Sequence, residues 1–201
     1  MPTVVHAADA RASQLLGVRG ELLERARAAT LTLGEGRAPT LPAWRRYTGI
    51  VWEHLDPATL TSVDRRRIVV PSGLLGLVAG NDPVPDHRLK LSASLPRIGR
   101  LDRWWRSHAT AALVSYARRR PVVDLLPNEH AAALDLAALG DRLLRVRFVD
   151  RGGRAVGHDA KAAKGELARV VLDHGIEAGA AFDWNGWRAA RTSEGITVTR
   201  G

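Results

Sequence analysis

The sequence predicts a single α+β domain, in which helices and strands are mixed without the strict alternation of a doubly wound fold. Its 201 residues are 45% hydrophobic, which suffices for one buried core of ordinary size. Amphipathic helical periodicity and short apolar runs typical of strands both recur along the chain. No internal repeat or low-complexity tract interrupts them, so we expect one domain over residues 1–201.

The N-terminal part is predicted to be helical. Leucine and alanine recur at helical spacing over residues 11–30, and Gly17 and Gly20 divide this stretch into two short helices. Thr40 is suited to cap a further helix over residues 43–55, which carries an apolar stripe.

A long irregular segment follows. The apolar run at residues 68–70 predicts a buried strand that ends at Pro71. Residues 72–96 then alternate glycine, proline and polar residues around a predicted strand at residues 89–93. Segments of this length without regular structure are often functional, so we expect candidate site residues here.

The C-terminal half alternates strands and helices. It begins with an amphipathic helix in which Trp104, Trp105 and Tyr116 are available for burial. An apolar strand, a hairpin around a glycine turn, a further helix and two closing strands follow. The predicted bounds are 101–118 for the helix, 122–126 for the strand, 142–149 and 154–157 for a hairpin, and 160–172 for the next helix.

Composition excludes several classes of protein. There is no cysteine, so disulfides, thiolate metal sites and cysteine nucleophiles are excluded. The first residues lack the pattern of a signal peptide, and no window approaches the roughly 18 apolar residues of a membrane helix. We expect a cytoplasmic protein with no membrane contact. The sequence predicts no cofactor and no metal, and it does not fix an oligomeric state.

The net charge of +9 indicates a polyanionic partner such as DNA, RNA or a phosphorylated ligand. Only Lys90, Lys161 and Lys164 are lysines among the 30 basic residues. A sequence rich in arginine and alanine also arises in a GC-rich genome without any functional demand, so both explanations of the charge stay open.

The helix that begins near residue 160 carries the most informative cluster. Lys161 and Lys164 lie in its first turns, where cations oppose the helix dipole unless an anion compensates them. Asp159 is suited to cap this helix, and Gly165 would allow a phosphate to approach closely. The alternative is a solvated helix face on which Asp159 and Glu166 balance the charge. The residues predicted to contact DNA or another anion are Lys161, Lys164, Gly165, Arg169, Arg88, Lys90 and His158.

Two loops supply further candidates. Asn128, Glu129 and His130 follow the predicted strand at residues 122–126, which is a favoured position for site residues. Glu129 or His130 could act as a general acid or base, although capping of the next helix by Asn128 is the commoner role for such a loop. Ser72 and Asp86 are candidates from the irregular segment, and the order around Ser72 does not match a nucleophile elbow.

Seven segments in order resemble one known family: RRYTGIVWEHLD, VVPSGLLGLV, DPVPDHRLKLSASLP, LDRWWR, VVDLLPNEHAA, HDAKAAKGELARVVL and FDWNGWRAA. They look like the YaaA family of peroxide-stress proteins, also called DUF328 or UPF0246. The resemblance extends from about Thr40 to Gly201. It implies an α+β fold in which helices wrap a mixed sheet.

The resemblance also implies a function. The best-known bacterial members of the family limit oxidative damage during hydrogen peroxide stress, in connection with free intracellular iron, and bind double-stranded DNA through a positive cleft. Lys161, Lys164 and Gly165 occupy a position that resembles a conserved lysine and glycine motif of the family. Two departures are expected to matter: this chain begins after the strand and loop with which family members usually open, and Ala79-Gly80 stand where the family often has Arg-Pro.

Two functions of different class follow. The first is binding of double-stranded DNA in the peroxide response. The second is an enzyme acting on a small nucleobase- or phosphate-containing substrate, with Glu129, His130, Asp159 and Lys161 as its acid and base groups. Direct iron binding is a weaker third possibility. Its ligands would be His87, His130, His158 and His174.

Overall fold

The computed structural model describes residues 8–156 and 160–201, and its helices and mixed sheet confirm the predicted α+β class. The described chain divides into two compact units. The first comprises residues 8–46, 68–116 and 128–135, and the second comprises residues 47–67, 117–127, 136–156 and 160–201. Whether they act as one domain stays a prediction.

The helices are α1 (Asp9–Leu16), α2 (Glu21–Gly34), α3 (Ala43–Arg46), α4 (Ile50–Leu55), α5 (Ser62–Arg67), α6 (Leu101–Ala117), α7 (Asn128–Ala131), α8 (Lys161–His174) and α9 (Ile176–Ala180). The strands are β1 (Thr40–Pro42), β2 (Val69–Ser72), β3 (Gly76–Ala79), β4 (Pro83–Pro85), β5 (Ser94–Leu95), β6 (Gly99–Arg100), β7 (Val122–Asp124), β8 (Leu143–Val149), β9 (Asp183–Trp184), β10 (Trp187–Thr192) and β11 (Gly195–Arg200). Two 3₁₀ segments, Pro57–Thr59 and Leu136–Arg142, are the remaining elements of the described residues.

The first unit contains helices α1, α2, α3 and α7, nearly all of α6, and three short antiparallel strand pairs. The pairs are β1 with β4, β2 with β3, and β5 with β6. Helices α1 and α2 contribute Leu15, Leu16 and Leu23 to a core that Leu101 of α6 completes. Strand β6 leads directly into α6, so the hairpin fixes where that helix begins.

The second unit holds the main sheet, in the order β7-β8-β11-β10-β9. Strands β7, β8 and β11 are parallel, whereas β10 runs antiparallel to both of its neighbours. Helix α8 buries Ala163, Leu167 and Val171 in a core that Ile196 and Val198 of the central strand share. Burial of large apolar side chains of this kind stabilises a fold by about 1.5–3 kcal/mol each.

Three predicted elements differ in the structure. The helix predicted over residues 43–55 is two helices, because Gly49 adopts a φ of 113° that a helix does not allow. Strand β2 continues through Pro71, which a two-stranded sheet tolerates because each strand has a free edge. Residues 89–93 form no strand, since the carbonyls of Leu91 and Ala93 accept hydrogen bonds from the first amides of α6.

Helix α6 confirms its predicted bounds but not all of its predicted burial. Trp104 and Tyr116 are 49% and 42% exposed. Trp105 instead turns inward, and its Nε1–H donates a hydrogen bond of 3.0 Å to the carbonyl of Gly73. Adjacent helical positions point about 100° apart, so only one of the two tryptophans can occupy this partly buried position.

Candidate functional site

Gly165 is the point at which α8 meets α4. A Cβ atom at this position would lie 2.5 Å from the carbonyl oxygen of Val51 and 2.7 Å from Cβ of His54. Gly165 is buried, although the sequence analysis expected it to be open to a phosphate. Because glycine has no side chain, helix α4 of the same unit can pack closely against α8 at this position.

Polar contacts flank this crossing of α4 and α8. His54 Nδ1 lies 2.8 Å from Oε1 of Glu166, and both side chains are about one-third exposed. Arg169 reaches the end of α4, where its Nη1 donates to the carbonyls of Leu55 and Asp56. These carbonyls carry the negative end of the helix dipole, so a guanidinium is favoured there. The predicted anion-binding residue Arg169 thus has protein acceptors of its own.

Lys164 is half-buried on the same helix. Its Nζ lies 5.5 Å from the centroid of the Phe148 ring, which is a cation–π distance. Burial lowers the pKa of the Lys164 ammonium, and the carboxylate of Asp124 opposes this effect. Lys164 is therefore not a fully solvated cation at the surface.

Asp124 is the residue of this cluster that the sequence reasoning missed. It ends β7, and its Oδ1 accepts a hydrogen bond of 3.0 Å from the amide of Leu126. Strands β7 and β8 are parallel, and Asp124 at the carboxyl end of β7 pairs with Arg145 in the first half of β8. In α/β proteins, ligands commonly bind at the carboxyl ends of parallel strands. The only signal in the sequence was an aspartate in the middle of the apolar run at residues 122–126. We call Lys164, Asp124 and Phe148 the strand-edge cluster.

The start of α8 is described only in part. Lys161 is its first residue and is half-buried, and Ala160 precedes it without a side-chain cap. The predicted site residues His158 and Asp159 lie outside the described residues. The capping role predicted for Asp159 therefore stays a prediction.

Glu129 and His130 belong to the first unit. Glu129 is exposed, and its Oε1 accepts a hydrogen bond of 2.8 Å from Ser92 Oγ. His130 is half-buried, and burial lowers its pKa while the charge of Glu129 opposes this change. Both belong to the short helix α7, of which Asn128 is the first residue. Their predicted convergence with Lys161, which belongs to the second unit, stays a prediction.

Ser72 lies at the end of β2 and makes a polar contact with His87. Ser72 Oγ is 3.3 Å from His87 Nε2, and His87 Nδ1 is 3.0 Å from the carbonyl oxygen of Pro85. A carbonyl only accepts, so His87 donates from Nδ1 and accepts at Nε2 the hydroxyl proton of Ser72. Oγ also accepts from the amides of Leu74 and Leu75, which stabilises the turn that follows.

The remaining predicted anion contacts of the first unit lie at its surface. Arg88, Lys90 and Asp86 are exposed, and the Asp86 carboxylate is 3.9 Å from the guanidinium of Arg46. Within residues 8–156 and 160–201, no group of three or more histidine, aspartate or glutamate side chains is arranged to hold a metal ion. The helices of that same part are all too short or too polar to cross a membrane.

Comparison with known proteins matches this chain to one family. The family described as "Peroxide stress protein YaaA" matches residues 3–192. A UPF0246 protein of Ruegeria sp. is 36% identical over 143 residues, which cover 65% of this chain and 57% of the relative. A UPF0246 protein of Streptomyces coelicolor is 32% identical over 165 residues, which cover 79% of this chain and 61% of the relative.

A third relative, a UPF0246 protein of Corynebacterium glutamicum, is 33% identical over 141 residues that cover 67% of this chain and 56% of the relative. The chain thus spans somewhat more than half the length of these curated relatives. Both α8 and the strand-edge cluster lie within the residues that the family matches.

Proposed function

Because the chain belongs to the YaaA family of peroxide stress proteins, we propose that it binds double-stranded DNA through its basic side chains and limits iron-dependent damage to that DNA. The family supports the link to peroxide stress. The observation that carries the choice of DNA is the net charge of +9. Phosphate contacts from lysine and arginine supply most of the affinity of proteins that bind DNA without sequence preference.

In the second unit, the start of helix α8 is suited to bind a phosphate of DNA. Its first turn contains no acidic residue, so no carboxylate of that turn neutralises the positive end of the helix dipole or the charge of Lys161. A phosphate oxygen would supply that compensation. In the first unit, the exposed side chains of Arg88 and Lys90 can make further phosphate contacts.

The same contacts give a physical route to protection. DNA holds a condensed layer of cations, and a protein that neutralises phosphates releases them into solution. Ferrous ions are part of that layer when iron is free, and hydroxyl radicals that form beside DNA are those that damage it. We expect bound protein to displace ferrous ions and so to lower the rate of strand breakage by iron and peroxide.

The test is affinity for an intact duplex as a function of salt. Replacing both Lys161 and Lys164 by alanine is expected to reduce the slope of log K against log salt by nearly 2, since each phosphate contact contributes about 0.9. The matched control is Arg119→Ala with Arg120→Ala, which removes the same charge from exposed positions of the same unit. No duplex binding at low salt, or equal slopes for both double variants, would contradict the proposed surface.

An enzyme acting on a small phosphate- or nucleobase-containing substrate is the second candidate function. The strand-edge cluster favours it, because a partly buried amine whose pKa is lowered, and which feels the charge of a carboxylate, is common at catalytic sites. Turnover or binding of sugar phosphates and nucleotides by the purified protein tests this candidate. The effect of Lys164→Ala on that binding links it to the cluster.

A further inference from the structure

The start of helix α6 and the hairpin before it form an exposed surface of the first unit. Strands β5 and β6 are joined by a tight turn, in which the amide of Ile98 donates a hydrogen bond of 3.3 Å to the carbonyl of Leu95. Arg97 lies in this turn with a φ of 65°, a conformation that glycine adopts more readily than arginine. Strand β6 then leads directly into α6. We call the exposed residues Arg97, Ile98, Arg100, Arg103 and Trp104 the arginine–tryptophan surface.

The positive charge of this surface is only partly compensated. Residues 97–106 contain four arginines and a single acidic residue, Asp102. Asp102 is buried, and its carboxylate is already paired with the guanidinium of Arg100. Among the described residues, no carboxylate forms an ion pair with Arg97 or Arg103. The surface therefore has charge left over for an anionic partner.

Trp104 adds an aromatic face to this charge. Its side chain is 49% exposed, and that of Ile98 in the preceding turn is 41% exposed. Side chains of a helix lean toward its N-terminus, so the indole extends toward the start of α6, where Arg100 lies. Ser107 and Ala111 occupy the exposed positions one and two turns further along the same face. Both are small, so a planar group has room beside the indole.

We propose that the arginine–tryptophan surface binds single-stranded DNA, with an unpaired base stacked on Trp104 and the adjoining phosphates bound by Arg97 and Arg103. The choice of DNA rests on the proposed function. Aromatic side chains among basic ones hold single strands without sequence preference, because every base offers a π face. A duplex offers no such face along its length, since its bases already stack on one another. The surface thus adds a second mode of binding, for strands that have lost their partner.

Affinity for a single strand tests the proposal. Fluorescence polarisation of a labelled oligothymidylate, and of a duplex of the same length, is measured with the full chain. We expect Trp104→Ala to weaken binding of the oligothymidylate by roughly 5- to 150-fold, the range expected from loss of one stacked base. Affinity for the duplex should change far less.

Matched variants separate the aromatic face from the charge. Trp104→Phe keeps an aromatic ring and should retain most of the affinity for the single strand. Tyr116→Ala is the control, because it removes another exposed aromatic ring of α6 outside the surface. Replacing both Arg97 and Arg103 by alanine should reduce the slope of log K against log salt for the single strand by about 1.4, at about 0.7 per phosphate contact. Trp104→Ala removes no charge and should leave that slope unchanged.

Photocrosslinking locates the contact in the unmodified protein. An oligothymidylate in which one base is replaced by 5-iodouracil is irradiated in the complex, and peptide mass spectrometry identifies the residue to which it is joined. We expect the crosslink at Trp104. A crosslink confined to other aromatic residues contradicts the proposal. This measurement decides the matter even if a variant fails to fold.

The outcomes separate this proposal from binding of a duplex. Weaker single-strand binding by Trp104→Ala, with the crosslink at Trp104, supports the surface whether or not the protein binds a duplex. Duplex binding together with equal single-strand affinity of Trp104→Ala and Tyr116→Ala overturns the surface and leaves the proposed function in place. No binding of either DNA contradicts both. Tighter binding of the corresponding oligouridylate RNA contradicts the choice of DNA.

Discussion

Replacement of Gly165 by alanine tests whether close contact between α4 and α8 is a determinant of stability. The added Cβ would lie 2.5 Å from the carbonyl oxygen of Val51, 2.7 Å from Cβ of His54 and 3.1 Å from the amide nitrogen of Leu55. All three are main-chain atoms or a Cβ, so no flexible side chain can rotate away. The helices must separate, or α8 must shift along its axis.

Two opposing contributions set the expected magnitude. Alanine is favoured over glycine within a helix by about 1 kcal/mol, whereas overpacking in a well-packed interior costs about 1–3 kcal/mol. Rigid neighbours place this site toward the upper end of that cost. We expect Gly165→Ala to lower the free energy of unfolding by about 1–2 kcal/mol, which corresponds to a Tm lower by roughly 2–8 °C for a protein of this size.

Gly34→Ala is the matched control. Gly34 is also helical, at the end of α2, and a Cβ there would meet nothing within 4 Å. This variant should be as stable as the unmodified protein or slightly more stable. Urea unfolding of both variants provides the measurement. If Gly165→Ala is as stable as Gly34→Ala, the inference that steric fit requires glycine at position 165 is wrong.

Three further predictions concern the first unit. Asp102 is buried, and its hydrogen bonds from Arg100 lower its pKa, so the stability it contributes is present at neutral pH and is lost in acid. Asp102→Asn should lower the free energy of unfolding by about 1.5–3 kcal/mol at pH 7, measured in urea, and should flatten the fall of stability at acid pH. Burial lowers the pKa of His130, so protons favour the unfolded chain and stability should fall as pH drops below about 6.5, with a smaller fall in His130→Gln. Trp105→Phe should cost about 1 kcal/mol in thermal unfolding, because the carbonyl of Gly73 loses its donor. An unchanged acid limb, identical pH profiles or an unchanged Tm would contradict these three inferences in turn.

Local signals account for the part of the fold that the sequence predicted. Gly17 and Gly20 separate α1 from α2 as expected, and α6 and α8 follow their apolar periodicity closely. The two predicted closing strands form the hairpin of β10 and β11. The predicted secondary structure was wrong where contacts distant in sequence determine the conformation. In residues 89–93, for example, carbonyls accept hydrogen bonds from the first amides of α6 rather than from a partner strand.

The candidate site was predictable only in part, for a related reason. Lys161 and Lys164 are conspicuous because cations are disfavoured at the start of a helix. A helical projection of α8 identifies the face toward its sheet, but it carries no information about α4, which is why Gly165 seemed available to a ligand. Asp124 was missed because its relation to Lys164 depends on how β7 and α8 meet in three dimensions.

The central position of β11 has a consequence for the order in which the protein can be made. This strand pairs with β8 on one side and β10 on the other, and its Ile196 and Val198 are 1% and 0% exposed. A ribosome that adds 5–20 residues per second needs about 3–10 s to proceed from β8 to β11. During that interval β8 presents an open hydrogen-bonding edge, which is a hazard for aggregation. The main sheet can therefore be completed only after β7 and β8 have already left the ribosome. A chain shortened before Gly195 would lack β11, the strand that joins β8 to β10.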